Sequence, residues 1–458
     1  MATRRRFISH SCGLGVAAAT AGTSVISLGF ARQAAANASD YRALVCVLLA
    51  GGNDSYNMIV PTDTEQYNEY AALRTDLALP REVLLPLTED VEGREFGVHP
   101  GMPDVYDLYE RGEIAILNNV GTLLEPVDVE AIRNGARVPL GLYSHSDQIR
   151  QWQTSISDTR NKPGGWAGRI ADLELPNLAN GLAMNISLSG SNPFQSGSYT
   201  APYSISPFGN GVQGLFNYSR DPNNGYGYWR KSTIDRILGV EHENVFRQEY
   251  SRQFRGALAA EELFLGALVQ APELQTTFTD HYFSQAMRQI ARVISVRDTL
   301  EANRQTFFIT VGGWDHHDGV VEKQAAMLPW INDGLKSFRD ALKELGVWSS
   351  VTTFTISDFA RTMTSNGKGS DHGWGGNQLV MGGDVHGGTM YGEYPTLSQN
   401  SPLDTGRGVY VPTTAVEQYF SELALWFGVA RSDLAYVLPN VETFYSPSST
   451  ESPMGFMA

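Results

Sequence analysis

Five short segments of this 458-residue chain set acidic, histidine or serine residues where an apolar run stops or a helix is expected to start. Gly51-Gly52-Asn53-Asp54 follows the run 45–50, Gly312-Gly313-Trp314-Asp315-His316-His317-Asp318 follows 307–311, and Ser357-Asp358 follows 351–356. Ser370-Asp371-His372-Gly373 comes soon after, inside the glycine-rich stretch 367–376, and Ser144-His145-Ser146-Asp147 stands at the expected helix start. In open α/β sheets ligands bind just beyond the carboxyl ends of the strands, so acids that recur there point to one shared site. Carboxylates, imidazoles and a hydroxyl drawn from distant segments are what metal-assisted hydrolysis requires.

Each segment also has a plainer use. Gly, Asn and Asp are ordinary turn residues, which would account for Asp54. Ser357 or Asp358 can cap a helix, and so can Ser144 or Ser146. The run 315–318 is harder to explain that way, because four adjacent titratable groups crowd charge unless a cation or water relieves it. On an extended backbone Asp315 and His317 face one side and His316 and Asp318 the other. Asp315 and His317 therefore form a natural ligand pair, with His316 either supporting it or lying on the surface. Ser144 at a helix N-terminus would have the dipole and free amides at hand to hold an oxyanion.

The elements that must position these residues follow from the apolar pattern. Residues 41–50 and 114–120 read as buried strands, with a helix over 103–111 between them. Another element begins at 166–173, after the turn Lys162-Pro163-Gly164-Gly165. Spacings of three and four predict long helices over 233–270 and 281–305. Strands at 307–311, 351–356 and 378–381 then alternate with helices at 320–345 and 416–427, the order of βαβ units around a mainly parallel sheet. Residues 187–229, rich in Gly, Ser, Asn, Pro and Tyr, read as an irregular insertion. The G-x-G-x-x-G string at 209–214 has no strand before it and reads as loop, and P-loop, H-E-x-x-H and G-x-S-x-G signatures are missing from residues 39–458.

Residues 1–38 read as an export signal. Thr3-Arg4-Arg5-Arg6-Phe7-Ile8 resembles a twin-arginine motif, a mild Gly- and Ala-rich stretch covers 13–30, and Ala36-Asn37-Ala38 offers an A-x-A cleavage site. The expectation is a soluble product starting at Ser39, handled by the twin-arginine translocase, periplasmic or secreted, with no stable membrane anchor. Cleavage would remove four arginines and no acid, taking the formal charge from −15 to −19. So acidic a chain is a poor partner for nucleic acid, and it attracts anionic substrates only where bound cations reverse the field locally. Cys12 leaves with the signal, so Cys46 alone remains and no intramolecular disulfide forms.

Taken in order, L-x-G-G-N-D, S-H, G-W-x-G-R (165–169), G-G-W-D-x-H, S-[ED]-F-x-R-T (357–362) and D-H-G resemble the bacterial "domain of unknown function 1501" family, grouped with the alkaline-phosphatase-like superfamily. The resemblance implies an α/β three-layer αβα sandwich with a mainly parallel central sheet and one or two divalent cations. By motif, it implies Ser144 as nucleophile, with His145 and Arg361 as further catalytic candidates. Asp315, His317 and His372 would bind a first cation, Asp54 and Asp358 a second, and Asp371 either. Three positions depart from the family pattern: His316 replaces Thr, Asp358 replaces Glu, and Ser146 replaces the Phe after S-H. The carboxylates suit Mg, Ca or Mn and the histidines suit Zn or Mn. Cys46, inside an apolar strand, and Ser144, followed by His145-Ser146-Asp147, both fail the formylglycine-sulfatase pattern. The expected activity is hydrolysis of phosphate or sulfate esters, on a small-molecule or polysaccharide substrate, by the serine or by a metal-bound hydroxide. The alternative is a non-catalytic, metal-stabilised surface or polysaccharide-binding protein of the same fold.

Overall fold

The computed structural model describes residues 41–88, 93–161, 164–174, 184–209, 211–212 and 214–458. The expected export segment 1–38 lies outside the described residues, as do Lys162 and Pro163 of the expected turn and Asn210 and Gln213 of the glycine-rich string.

Twelve strands are described: β1 (Arg42–Ala50), β2 (Ile59–Pro61), β3 (Leu85–Pro86), β4 (Phe96–Val98), β5 (Ile114–Gly121), β6 (Asn185–Ser187), β7 (Tyr203–Ser204), β8 (Arg304–Gly312), β9 (Val351–Ser357), β10 (Gly376–Gly382), β11 (Met390–Tyr391) and β12 (Thr414–Ala415). Nine of them form one sheet in the order β11-β5-β10-β9-β1-β8-β6-β7, with β12 also on β5, while β2, β4 and β3 make a small separate sheet. Pairing in the large sheet is parallel except at β10, which runs antiparallel to β5 and β9. The mainly parallel α/β expectation is borne out.

β1 shows why the sheet sits in the middle of the molecule. Its residues are apolar on both faces, and alternation sends Ala43, Val45, Val47 and Leu49 into one core and Leu44, Cys46 and Leu48 into another. Helices Pro103–Glu110, Tyr282–Ser295 and Val320–Glu344 pack into the first core. Helices His145–Thr154, Trp166–Glu174 and Val416–Phe427 pack into the second, where Trp166 stacks on Phe420 at 5.0 Å. Helices thus cover both faces, and the carboxyl ends of β9, β1 and β8 are left for the loops that carry the acidic motifs.

Three expectations change in detail, the first being the helix read over 281–305, which is Tyr282–Ser295 and ends before β8 starts at Arg304. The helix read over 233–270 is two helices, Gly225–Leu238 and Val245–Val269, because the chain breaks near Gly239 and restarts at Asn244, whose side chain caps the amide of Arg247 at 3.1 Å. The segment read as irregular contributes the edge strand β7, two residues long, paired with β6.

Candidate metal centre

Strands β1, β8 and β9 lie side by side and in parallel, so the loops after them leave the sheet at the same end. Gly51 allows those loops to meet. Its φ of 124° is open only to glycine, and a Cβ there would stand 2.4 Å from the amide nitrogen of Asp315. Gly369 does the same for the loop before His372, since its Cβ would lie 2.7 Å from the carbonyl oxygen of His316.

At that junction three imidazoles surround one carboxylate. His145 Nδ1 is 2.6 Å from Asp358 Oδ2, His317 Nδ1 is 3.0 Å from Asp371 Oδ1, and His372 Nδ1 is 2.8 Å from the carbonyl oxygen of Tyr143. With each Nδ1 anchored outward, each Nε2 is turned toward Asp315: His317 at 3.0 Å, His145 and His372 at 3.5 Å. An outer acceptor on one ring nitrogen is how metal-binding histidines are held in the right tautomer. If these three Nδ1 atoms are donors, three Nε2 lone pairs face an anionic oxygen and one another, an arrangement that repels itself unless a cation or a proton sits among them.

Ligand spacing fits a metal. His317 Nε2 lies 3.0 Å from His372 Nε2, and the two lie 3.0 and 3.5 Å from Asp315 Oδ1. Donors about 2.0–2.1 Å from a tetrahedral zinc stand about 3.3 Å apart, close to these edges. His145, Asp315 and His372 also offer donor atoms that all lie within 4.8 Å of one another.

Fixed charges tune the group. Burial works to raise the Asp315 carboxyl, but the hydrogen bond and charge of Arg361, helped by His317 and His145, hold it below the usual carboxylate range. Arg361 is itself buried and donates to Asp315 Oδ1 at 2.9 Å, to the Gly51 carbonyl at 3.2 Å and to the Ser370 carbonyl at 2.6 Å. The hydrogen bond that His145 donates to Asp358, and then the charges of Asp358 and Asp315, push His145 above its ordinary value against the effect of burial, whereas burial pushes His372 down. Asp371 is held well below the carboxylate range, first by Asn366 and then by Arg407 and His317.

The structure therefore brings together His145, Asp315, His317, Asp358, Arg361, Asp371 and His372. It does not bring in Asp54, whose fully buried carboxylate is ion-paired with the buried Arg74 at the end of helix Thr64–Arg74. Ser144 is the N-cap residue of helix His145–Thr154, yet its side chain makes no cap bond; its Oγ lies 3.3 Å from Ser146 Oγ and also bonds Asp147. His316, for which a surface position was one of two expectations, is buried with neither ring nitrogen partnered, and burial lowers its pKa to about 4. Asp318 is exposed and ion-paired with Lys323.

Three contributors were not read from the sequence. Arg407 reaches Asp371 Oδ2 at 2.6 Å from the rim, and its Gly-Arg-Gly setting was the available clue. Phe359 stacks on the His372 ring at 4.5 Å, inside a motif already in view. Tyr143 supplies its carbonyl from a left-handed backbone, φ 73°, a strain of about 1–3 kcal/mol of the kind found at functional sites.

Residues 232–410 match the family model described as "Protein of unknown function (DUF1501)". Over that stretch the chain is similar to this family. The stretch holds Asp315, His317, Asp358, Arg361, Asp371, His372 and Arg407, while Asp54, Ser144 and His145 precede it. No curated protein matches the chain. Among solved structures, those described as "Crystal structure of Ps i-CgsB" and "Crystal structure of Ps i-CgsB in complex with k-i-k-neocarrahexaose" each align at 10% identity and TM-score 0.35, covering 90% of this chain and 78% of theirs. Likeness at that level carries neither fold nor chemistry across.

Proposed function

We propose that the protein is an exported, metal-dependent hydrolase of phosphate or sulfate esters, with the three-layer alkaline-phosphatase-like architecture that its motifs imply. The observation that supports this most is the convergence of three outwardly anchored imidazoles on Asp315. Asp315, His317 and His372 would hold one divalent cation, and a nitrogen-rich set of that kind favours zinc over magnesium or calcium. When bound, the cation supplies Lewis-acid polarisation of an ester oxygen. A second cation at Asp54 and Asp358 has less support, because Arg74 neutralises the first and Asp358 is engaged by His145 and by the Gly51 amide at 3.0 Å.

His145 is the residue equipped to move a proton. Asp358 fixes its tautomer and stabilises the imidazolium, leaving Nε2 to take a proton from an attacking water as the new P–O or S–O bond forms. The same proton then passes to the leaving alcohol oxygen. Arg361 offsets the anionic charge from beneath, and Arg407 at the rim is placed to accept an incoming ester anion, which the acidic body would otherwise repel. The Asp315 side chain is 46% exposed, which suits an open catalytic site better than a closed structural one.

The test is metal analysis of the purified protein followed by a screen of aryl phosphates, phosphodiesters and sulfates. His145→Gln should keep the metal and lose about 10²–10⁴-fold in turnover. Bound metal with no turnover of any ester by the wild type would favour the non-catalytic binding protein instead.

A further inference from the structure

Helices Gly225–Leu238 and Val245–Val269 form an arm at the β7 edge of the sheet that makes little use of the body. In the 25-residue second helix only Ser251, Phe264, Ala267 and Leu268 are buried, so it docks mainly by its C-terminal end. The two helices hold each other through bonds such as Arg255 Nη1 to the Leu238 carbonyl at 2.7 Å. Each nonetheless exposes an apolar stripe. Tyr226, Trp229 and Ile237 recur at helical spacing on the first, and Phe246, Tyr250 and Ala257 do so on the second. Phe246 is 86% exposed, Tyr250 65% and Trp229 63%.

We propose that this arm is a self-association surface and that its occupant is the arm of a second copy of the chain. Area is the first argument. At about 200 Å² per aromatic ring, the exposed parts of the arm's Tyr226, Tyr228, Trp229, Phe246 and Tyr250 amount to about 600 Å². Ile237, Val240 and Val245 bring the sum to about 900 Å², of the order of the about 800 Å² per partner of a standard interface. Charge is the second. The chain carries a formal −15, so two copies repel over most of their surface, yet residues 225–269 hold six basic and six acidic side chains and are neutral. A neutral projecting arm is where two like-charged bodies meet with least repulsion. A two-fold pairing of arms gives each apolar stripe an identical partner and closes the assembly at two.

Light scattering or sedimentation of the intact chain at rising concentration tests the proposal. A dimer is expected, and the double variant Phe246→Glu, Tyr250→Glu should weaken it by at least about 30-fold while leaving circular dichroism unchanged, since both side chains are exposed in the single chain. If that variant does not fold, Phe246→Ser gives the same comparison with no added charge. A wild type that stays monomeric at all attainable concentrations overturns the proposal, as does a dimer indifferent to both variants. A monomer whose Trp229 fluorescence responds to lipid vesicles or to a polysaccharide also overturns it, and assigns the arm to that ligand.

Discussion

Two strand ends in this molecule carry nearly the same residues and end up with opposite characters. β1 is followed by Gly51-Gly52-Asn53-Asp54, and its parallel neighbour β8 ends in Gly312-Gly313-Trp314-Asp315. Asp54 is sealed from solvent and bound to the guanidinium of Arg74, so its charge is already answered from within the fold. Asp315 is open, shares Arg361 with nearby carbonyls, and faces three imidazole nitrogens. A carboxylate at a strand end is thus a structural ion pair or a ligand depending on which cation reaches it first. A buried guanidinium makes the first; open access among imidazoles leaves room for the second.

The largest effect expected from breaking this contrast is at Asp315. Asp315→Asn removes the anionic donor and should abolish metal binding and turnover, by elemental analysis and ester hydrolysis; because buried Arg361 loses its carboxylate partner it should also lower stability measured in chelator, by less than the loss at Asp54 since Asp315 is half-exposed. Retained metal with full activity would show that the imidazoles act without it.

Asp54→Asn should do the reverse. It leaves the Arg74 charge buried without its counter-ion and should cost about 3–5 kcal/mol in denaturant unfolding, with metal content intact in the folded fraction. Replacing both partners, Asp54→Leu with Arg74→Met, should recover much of that loss. Metal loss in Asp54→Asn without destabilisation would move Asp54 into the metal centre.

A third buried acid sharpens the comparison. Glu417 is sealed in helix Val416–Phe427 with the Ser155 hydroxyl, at 3.1 Å, on one oxygen and no partner on the other. Burial pushes its pKa to about 8. The folded chain therefore holds that proton up to about pH 8 while the unfolded chain releases it near 4.5, so this group's contribution to stability falls as pH rises across that window. Glu417→Gln should remove the slope, leaving the variant more stable than wild type by roughly 4 kcal/mol at pH 8 and equal to it below pH 4.5, read by urea unfolding across the range. An unchanged pH profile would mean Glu417 is charged and paired as Asp54 is.

The smallest effect is expected at Ser144. Its hydroxyl bonds Ser146 and Asp147, so Ser144→Ala should change turnover by no more than about twofold. A loss of about 10²-fold or more with metal retained would restore the serine as nucleophile.

Much of the fold and the site could be read from residue order alone. Apolar runs two-faced like 43–49 become central strands because both faces must be covered, and the helix Val416–Phe427 has the bounds its spacing predicts. The pairing of Asp315 with His317 followed from alternation on an extended backbone, and the two side chains meet at 3.0 Å. These are local signals, carried by neighbours in sequence. The sequence by itself thus determined the α/β order, the strand ends that hold acids and the histidine-rich loops. Only the tertiary structure decided that Asp54 belongs to Arg74, that His145 meets Asp358, and that Arg407 secures Asp371. Those outcomes depend on which side chains, 20 to 213 positions apart, are pressed together once the helices pack. A lone arginine at the end of a helix looks like an ordinary exposed cation until the packing buries it against an acid.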